Sequence, residues 1–338
     1  MLVSSRFAQY PTIGRVYNVI LESLRAKRAA VIYNPVARSL SRNMSQLERV
    51  VALLAQQGID ARLVATTAPG SATSQTRHEI EAGCDVILAA GGDGTINEVA
   101  SGMLHTQVPL GILPGGTANV LARETRIPTN LVKAAGELPT MRPVRIAAGL
   151  LRIGASAPRS FLCMAGAGLD AEIVYHVNLD LKAAFGKLAY YVGGFSRAFC
   201  PLSEFEVVVD GRRYEASFAL ISRVRNYGGD LEIARGASLL RNEFEVVLFR
   251  GKQSLKYVPY LVGVALKQAH RMSGYTAVRG RTVTCSTIRG ERIFAQVDGE
   301  LAGQLPLTAE IVPDALTLLV PTAYLAKERS LVDVPACA

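Results

Sequence analysis

Ala29–Tyr33 and Asp85–Ala90 are short continuous apolar runs, the pattern of strands covered on both faces. Ile59–Ala65 and Pro109–Leu113 read as two further strands. Between these runs the apolar positions recur at helical spacing. The spacing predicts helices over Ser45–Gln57, about Ser71–Ala82, and from Thr95 to about Leu104. Strands alternating with helices of about 10–15 residues predict a parallel α/β sheet. After Pro139 the texture changes. Arg142–Ile153, Glu204–Asp210, Tyr214–Arg223, Asn242–Arg250, Thr276–Ile288, Glu291–Val297, Leu305–Pro313 and Leu316–Val320 read as strands. Asp210-Gly211 between alternating runs marks a hairpin. The second half is therefore predicted to be a mainly antiparallel β-sandwich, interrupted by helices near 181–198 and 254–271.

The implied organisation is an N-terminal extension over 1–27, an α/β domain over 28–139, a β-sandwich domain over 140–320 and a tail over 321–338. In the extension, Ile13, Val16, Tyr17, Ile20, Leu21 and Leu24 form one apolar stripe, with Arg15, Arg25, Lys27 and Arg28 nearby. Such a helix either lies on an anionic membrane surface or packs on the protein.

Composition narrows the class. A length of 338 residues suits two domains, and an apolar share of 49% supplies real cores. No run of about 18 apolar residues occurs; Tyr257–Leu266 is too short to span a membrane. Met1–Pro11 lacks the compact apolar stretch of a secretory signal. The five cysteines are scattered, no Cys-x-x-Cys occurs and the histidines are isolated, which argues against zinc or a disulfide framework and for a reducing cytosol. A net charge of +9 suits nucleic acid, anionic membrane or phosphorylated small molecules. Nucleic acid ranks last, because aromatic residues are few and the basic residues dispersed.

The candidate chemistry lies at the ends of the first-domain strands. Gly91-Gly92-Asp93-Gly94-Thr95 follows the central strand. Three glycines in four positions permit positive φ and let a ligand approach the backbone. Thr95 with Glu98 matches a capping box at a helix start. Helix N-termini gather unpaired N–H groups and favour phosphate. A carboxylate amid phosphates needs a cation between them, so Asp93 points to Mg²⁺. The alternative is an ordinary glycine turn. Asn34-Pro35 ends the first strand, Thr66 the second, and Pro114-Gly115-Gly116-Thr117-Ala118-Asn119 the fourth. All lie at the carboxyl edge, where open α/β sheets bind ligands.

Gly-Gly-Asp-Gly-Thr followed by Ile96-Asn97-Glu98-Val99 resembles the nucleotide motif of the diacylglycerol kinase and sphingosine kinase family, in its bacterial soluble branch. NAD kinases and phosphofructokinases carry similar turns. The likeness extends through Ala165–Glu172, where Asp170 would join a polar network, and through Tyr227–Ala237. It covers roughly residues 30–325. It implies ATP contacts at Asn34, Pro35, Arg38, Thr66, Gly91, Gly92, Asp93, Gly94, Thr95, Asn97, Gly116 and Thr117. It also implies that the tail returns to the first domain. One departure stands out. Where the family has Asp-Gly, with the Asp helping to hold a structural Mg²⁺, this chain has Arg241-Asn242. An arginine cannot ligate a cation. Either its guanidinium replaces the metal charge or the site is empty.

The reading is an ATP- and Mg²⁺-dependent lipid kinase, transferring the γ-phosphate to diacylglycerol or a related lipid. The two helices of the second half, rich in Tyr, Phe, Leu and Val, either flank an acyl pocket or belong to the core. The alternatives are an NAD kinase-like enzyme and a nucleotide-binding regulator without catalysis. The general base is expected in Val297-Asp298-Gly299-Glu300, with Asp298 as base and Glu300 as partner, or the reverse. The paired charges are expected to raise one carboxyl's pKa. The protein is placed in the cytoplasm with peripheral membrane contact, with a homodimer left open.

Overall fold

The computed structural model describes residues 28–37, 44–169, 171, 202–228, 231–251 and 274–332. The amphipathic segment 13–24, Arg38, Asp170, Gly229, Asp230 and the helices expected near 181–198 and 254–271 lie outside the described residues.

The first domain alternates as its pattern predicts. Strands β1 (Arg28–Tyr33), β2 (Asp60–Ala65), β3 (Val86–Gly91) and β4 (Pro109–Pro114) run parallel in the order β2-β1-β3-β4. Helices α1 (Met44–Gln56), α2 (Ser71–Glu81), α3 (Asp93–Met103), α4 (Val120–Glu124) and α5 (Leu131–Glu137) connect and flank them. β3 is buried along its whole length, which is why its sequence is apolar without alternation. Tyr33 aligns with Ala65 and Ala90, and Gly91 with Pro114, so the strand ends form one edge.

Two long strands carry the chain into the second domain. β5 (Arg142–Ile153) pairs antiparallel with β18 (Leu307–Val320) from one end to the other, around an irregularity between Val312 and Leu316. The last residues of β18 also pair parallel with β4, through Thr317 and Leu318. Its first residues pair with β15 (Thr282–Thr287), which continues to β8 (Phe205–Val209) and β9 (Arg212–Ala216). One sheet therefore spans both halves, with β6 (Arg159–Phe161) on the free side of β5. A second sheet has the order β14-β13-β10-β7-β16-β17, built from β7 (Met164–Gly168), β10 (Phe218–Ser222), β13 (Phe244–Phe249), β14 (Tyr275–Gly280), β16 (Phe294–Val297) and β17 (Glu300–Gln304). A short hairpin of β11 (Asn226–Gly228) and β12 (Leu231–Glu232) stands apart. The fold is an α/β domain with a parallel sheet, followed by an antiparallel β-sandwich.

The sheets close on Leu151, Phe161, Phe205, Ala165, Ile221, Val246 and Val297. Phe161 stacks on Phe244 with centroids 5.7 Å apart. Gly149 is required beneath it, since a Cβ there would come within 2.2 Å of the Phe161 ring. The opposite face of the second sheet, with Met164, Leu220, Val247 and Phe249, joins the same cluster as the first-domain core. The terminal helix α6 (Thr322–Val332) buries Tyr324 in that cluster.

Four predicted strands are divided differently in the structure. Tyr214–Arg223 is two strands: β9 pairs in one sheet, and after Ser217 β10 pairs in the other. Thr276–Ile288 likewise splits at Arg281 into β14 and β15. Neither run has a turn dipeptide at its crossing, Ser217 in one and Arg281 in the other, so the sequence reads each as one strand. Conversely, Leu305–Pro313 and Leu316–Val320 merge into β18.

A buried polar network ties α4, the β11 segment and α6. Glu124 accepts from the backbone N–H groups of Arg225 (3.0 Å) and Asn226 (3.3 Å) and from Asn226 Nδ2 (3.0 Å). The Arg225 guanidinium lies 2.6 Å from Glu328, which also receives the Ser238 hydroxyl. Burial and the Glu328 charge push the Glu124 carboxyl up.

At the loop around Arg241, for which the resemblance implied a structural Mg²⁺ in relatives, two arginines stand close together. Arg223, fully buried, donates to four backbone carbonyls: Ala147 (3.1 Å), Leu239 (2.8 Å), Glu243 (3.2 Å) and Arg241. Arg241 itself turns to Glu243 at 3.4 Å. Burial lowers the Arg223 pKa to about 10. Arg223→Met should cost ~3 kcal/mol or more in urea unfolding, because it orphans four buried carbonyls. EDTA should leave the Tm of the native protein unchanged.

Candidate active site

α3 begins at Asp93, with Gly92 as its N-cap. Thr95 therefore lies inside the first turn, and the expected Thr95–Glu98 capping box does not form: the cap has no side-chain hydrogen bond. Nor do the glycines serve positive φ, since Gly92 is extended at φ −83. They serve space. A Cβ on Gly91 would meet Thr95 at 2.8 Å, and one on Gly116 would meet the Gly92 backbone at 2.5 Å. The turns after β3 and β4 thus touch backbone to backbone, and Gly115 N–H donates to the Gly91 carbonyl at 2.7 Å.

Asn119 shapes the second turn. It sits at φ 48, accepts from Gly116 N–H and donates to the Gly116 carbonyl, both at 2.9 Å. Asn34 N–H reaches the Ala90 carbonyl (3.3 Å), and its Oδ1 accepts from Val36 N–H (3.0 Å), closing the Asn34-Pro35 turn. Thr66 N–H pairs with the Tyr33 carbonyl (2.9 Å). Thr117 is exposed beside Gly116. Asn34, Pro35, Thr66, Gly91–Thr95, Gly116 and Thr117 thus share the carboxyl edge, as their motifs suggested. Asn97 lies further along α3 and is tied by Nδ2 to the Ser160 carbonyl (2.9 Å).

Asp93 caps a helix other than its own. Its Oδ1 accepts from Leu121 N–H at 3.4 Å, at the start of α4. Burial still dominates and pushes its carboxyl up, with the α4 backbone N–H groups acting the other way.

Opposite stands the Asp298-Gly299 turn between β16 and β17. Asp298 has φ 47, and its Oδ1 accepts from Met164 N–H (2.8 Å) and Cys163 N–H (3.2 Å). Its pKa is raised to about 7, first by burial and then, against the pull of the Met164 N–H, by the charge of Asp93. The carboxylate that presses on Asp298 is thus Asp93, not the expected Glu300. Glu300 turns away to Arg159 at 3.1 Å, and its Oε1 lies 3.1 Å from where a Cβ on Gly94 would stand. The sandwich therefore brings its acidic turn onto the first turn of α3.

A cleft of about 550 Å³ opens at this junction, between α2 and α3 on one wall and β5, β6 and the Asp298–Glu300 turn on the other. Gly94, Asn97, Ser101, Arg77, Arg159, Ser160, Asp298 and Glu300 are among its lining residues. Arg77, Arg159 and Ser160 carry no sequence motif; only their place against α2 and α3 marks them. Among the described residues no group of three or more His, Cys, Asp or Glu side chains could by itself hold a metal ion.

Two family profiles match the chain. "Diacylglycerol kinase catalytic domain" covers residues 28–149, and "YegS C-terminal NAD kinase beta sandwich-like domain" covers 163–320. A diacylglycerol kinase of Bacillus subtilis (strain 168) is 32% identical over 291 residues, 83% of this chain and 92% of that protein. One of Staphylococcus carnosus (strain TM300) is 27% identical over 288 residues, covering 83% and 90%. A crystal structure of a diacylglycerol kinase from Bacillus anthracis str. Sterne superposes with TM-score 0.70 at 22% identity, covering 88% of this chain and 99% of that one. This last likeness speaks for the fold.

The raised Asp298 pKa gives a pH signature apart from catalysis. An ordinary carboxyl titrates near 4 when unfolded, so between about pH 4 and 7 the native state holds a proton that the unfolded state has lost. Stability contributed by the protonated carboxyl is therefore lost as pH rises through that window. Asp298→Asn removes the effect. The Tm of the variant relative to the native protein should rise from pH 5 to pH 8, read by calorimetry; a constant difference would contradict the assigned environment.

Proposed function

We propose that this chain, which belongs to the diacylglycerol kinase family, uses Asp298 as the general base for phosphoryl transfer to a lipid hydroxyl. It is an ATP-dependent lipid kinase. The acceptor is diacylglycerol or a close relative, as in the relatives named above. The NAD kinase likeness of the second domain is one of fold.

The observation that carries the residue assignment is Asp298: a recessed carboxyl at the cleft mouth, opposite Asp93, with a pKa of about 7. A lipid alcohol is a poor nucleophile at neutral pH, and a base near the working pH is the most effective proton acceptor. The ATP phosphates lie over Gly91–Gly94, where the first N–H groups of α3 have no partner within their own helix. Asn34, Pro35, Arg38, Thr66, Thr95, Asn97, Gly116 and Thr117 complete the nucleotide side. The acceptor oxygen attacks the γ-phosphorus, its proton passes to Asp298, and the bond to the β-phosphate oxygen breaks with its electrons leaving on ADP. Positioning and electrostatics supply the rate.

Mg²⁺ fits the donor set. Asp93 is a hard oxygen donor in the glycine turn, and phosphate oxygens and water would supply the remaining places. When bound, the ion neutralises charge on the phosphates. Asp93 would hold it, directly or through water.

No helix among the described residues is long and apolar enough to cross a membrane. We assign the chain to the cytoplasm, with peripheral contact through the apolar stripe and basic residues of 1–27. A chain lacking these residues should fold normally and bind anionic vesicles less, most visibly at low salt. Equal binding would remove this role.

Asp298→Asn and Asp93→Asn should fold, while turnover with ATP–Mg²⁺ and diacylglycerol falls ~10²-fold or more. Asp210→Asn should leave turnover unchanged. Equal turnover in all three would sink the assignment. Mass spectrometry of products from a whole-lipid extract identifies the acceptor.

A further inference from the structure

The fixed point is Ser160. Its carbonyl accepts from Asn97 Nδ2 at 2.9 Å, and its hydroxyl lies 2.6 Å from Ser101 Oγ. Both partners stand on α3, one and two turns below Gly94. These bonds clamp β6 of the second domain onto the helix that carries the phosphate turn. Arg159 is the adjacent residue, so its backbone is registered against that turn without itself being part of it. From there its Nη2 reaches Glu300 Oε2 at 3.1 Å, and the other oxygen of Glu300 overhangs Gly94. Of the two arginines lining the cleft, Arg77 stands on α2, and Arg159 is the one bonded to the residue above Gly94.

The charges at this end of the cleft do not balance. Asp298 and Glu300 line it, the charge of Asp93 acts on Asp298, and a transferring phosphoryl group brings further negative charge. A cationic side chain within reach of the group in transit would add to the charge neutralised by Mg²⁺ at Asp93. The Arg159–Glu300 pair is placed for this and is loosely held. The side chains are 42% and 59% exposed, and such ion pairs hold their partners weakly. Glu300 parks the guanidinium without locking it. A guanidinium has five N–H donors in a flat fork. It can keep one on Glu300 and turn others to phosphoryl oxygens, two at a time.

We propose that Arg159 is a catalytic arginine of the transfer step, contacting the phosphoryl group in flight, with Glu300 holding it over Gly94. This rests on the kinase reading above. No covalent step is added: the arginine forms charge-assisted hydrogen bonds that strengthen as charge spreads over the equatorial oxygens.

The test is steady-state kinetics with ATP–Mg²⁺ and diacylglycerol in mixed micelles. It compares the native chain, R159Q, R159K, R159G and, on the neighbouring strand β5, the control R152Q, which loses an exposed pair with Glu310. Expected are a kcat about 10²-fold lower for R159Q, the scale for losing one preorganised donor, with KM for ATP within about threefold. R159K should recover little, since an ammonium lacks the fork. Added guanidinium should restore R159G saturably, and R152Q should match the native chain. Tm should be native throughout, because the side chain is exposed. A native kcat for R159Q overturns the assignment, as does a loss confined to KM for the lipid or full rescue by lysine. A native chain that phosphorylates no lipid fails the kinase reading itself and takes Arg159 with it, an outcome distinct from an active native chain with an active R159Q.

Discussion

The ribbon of β5 and β18 belongs to both halves of the molecule, and the site depends on it. Its Arg142–Ile146 and Leu316–Val320 stretch extends the parallel sheet that presents the glycine turns. Its Gly149–Ile153 and Leu307–Ile311 stretch is one wall of the sandwich that presents Asp298 and Arg159. Continuous backbone pairing transmits position better than a linker between two bodies would. The Glu124–Arg225–Glu328 network and the shared apolar cluster brace the same junction from the other side. Opposed carboxyl groups need such rigidity, because the cheapest response to their repulsion is to move apart.

That repulsion is informative about the chemistry. Asp93 and Asp298 each receive backbone N–H groups, which would ordinarily hold a carboxyl low. Burial outweighs those bonds at both, and at Asp298 the facing charge adds to it. The arrangement is costly to the bare protein, and a divalent ion or a proton relieves it. A proton arriving from a lipid hydroxyl would relieve it in the same way.

Much of this was legible in the chain. The four parallel strands, the glycine and Asn-Pro turns at their ends and the acidic turn follow from apolar runs broken by residues with particular backbone demands. What was not legible depends on three-dimensional neighbours. Tyr214–Arg223 reads as one strand because its run of strand-forming residues passes through Ser217 without a turn signal, although β9 pairs in one sheet and β10 in the other. Arg159 and Arg223 look alike in sequence, dispersed cations in a chain of net charge +9. One is exposed and pairs with Glu300 beside Gly94; the other is sealed among carbonyls. Even the glycines were right for a reason other than the one expected, since they admit close packing rather than positive φ.

The two Asp-Gly turns show where the limit lies. Asp210-Gly211 has φ values of 45 and 84, and Asp298-Gly299 has 47 and 81. Both aspartates accept two backbone N–H groups from a neighbouring segment, Arg281 and Thr282 in one case, Cys163 and Met164 in the other. Locally they are the same structure, and local propensity accounts for both. They differ in what the fold brings against them. The Asp210 turn is exposed, and a side chain added at Gly211 would meet nothing within 4 Å. The Asp298 turn is pressed against Gly94 and Asp93 by a different domain. A dipeptide supplies a carboxyl held at a fixed angle. Only the surface across from it sets that carboxyl apart, and that surface comes from residues some 200 positions away in the chain, set in place by the β5–β18 ribbon.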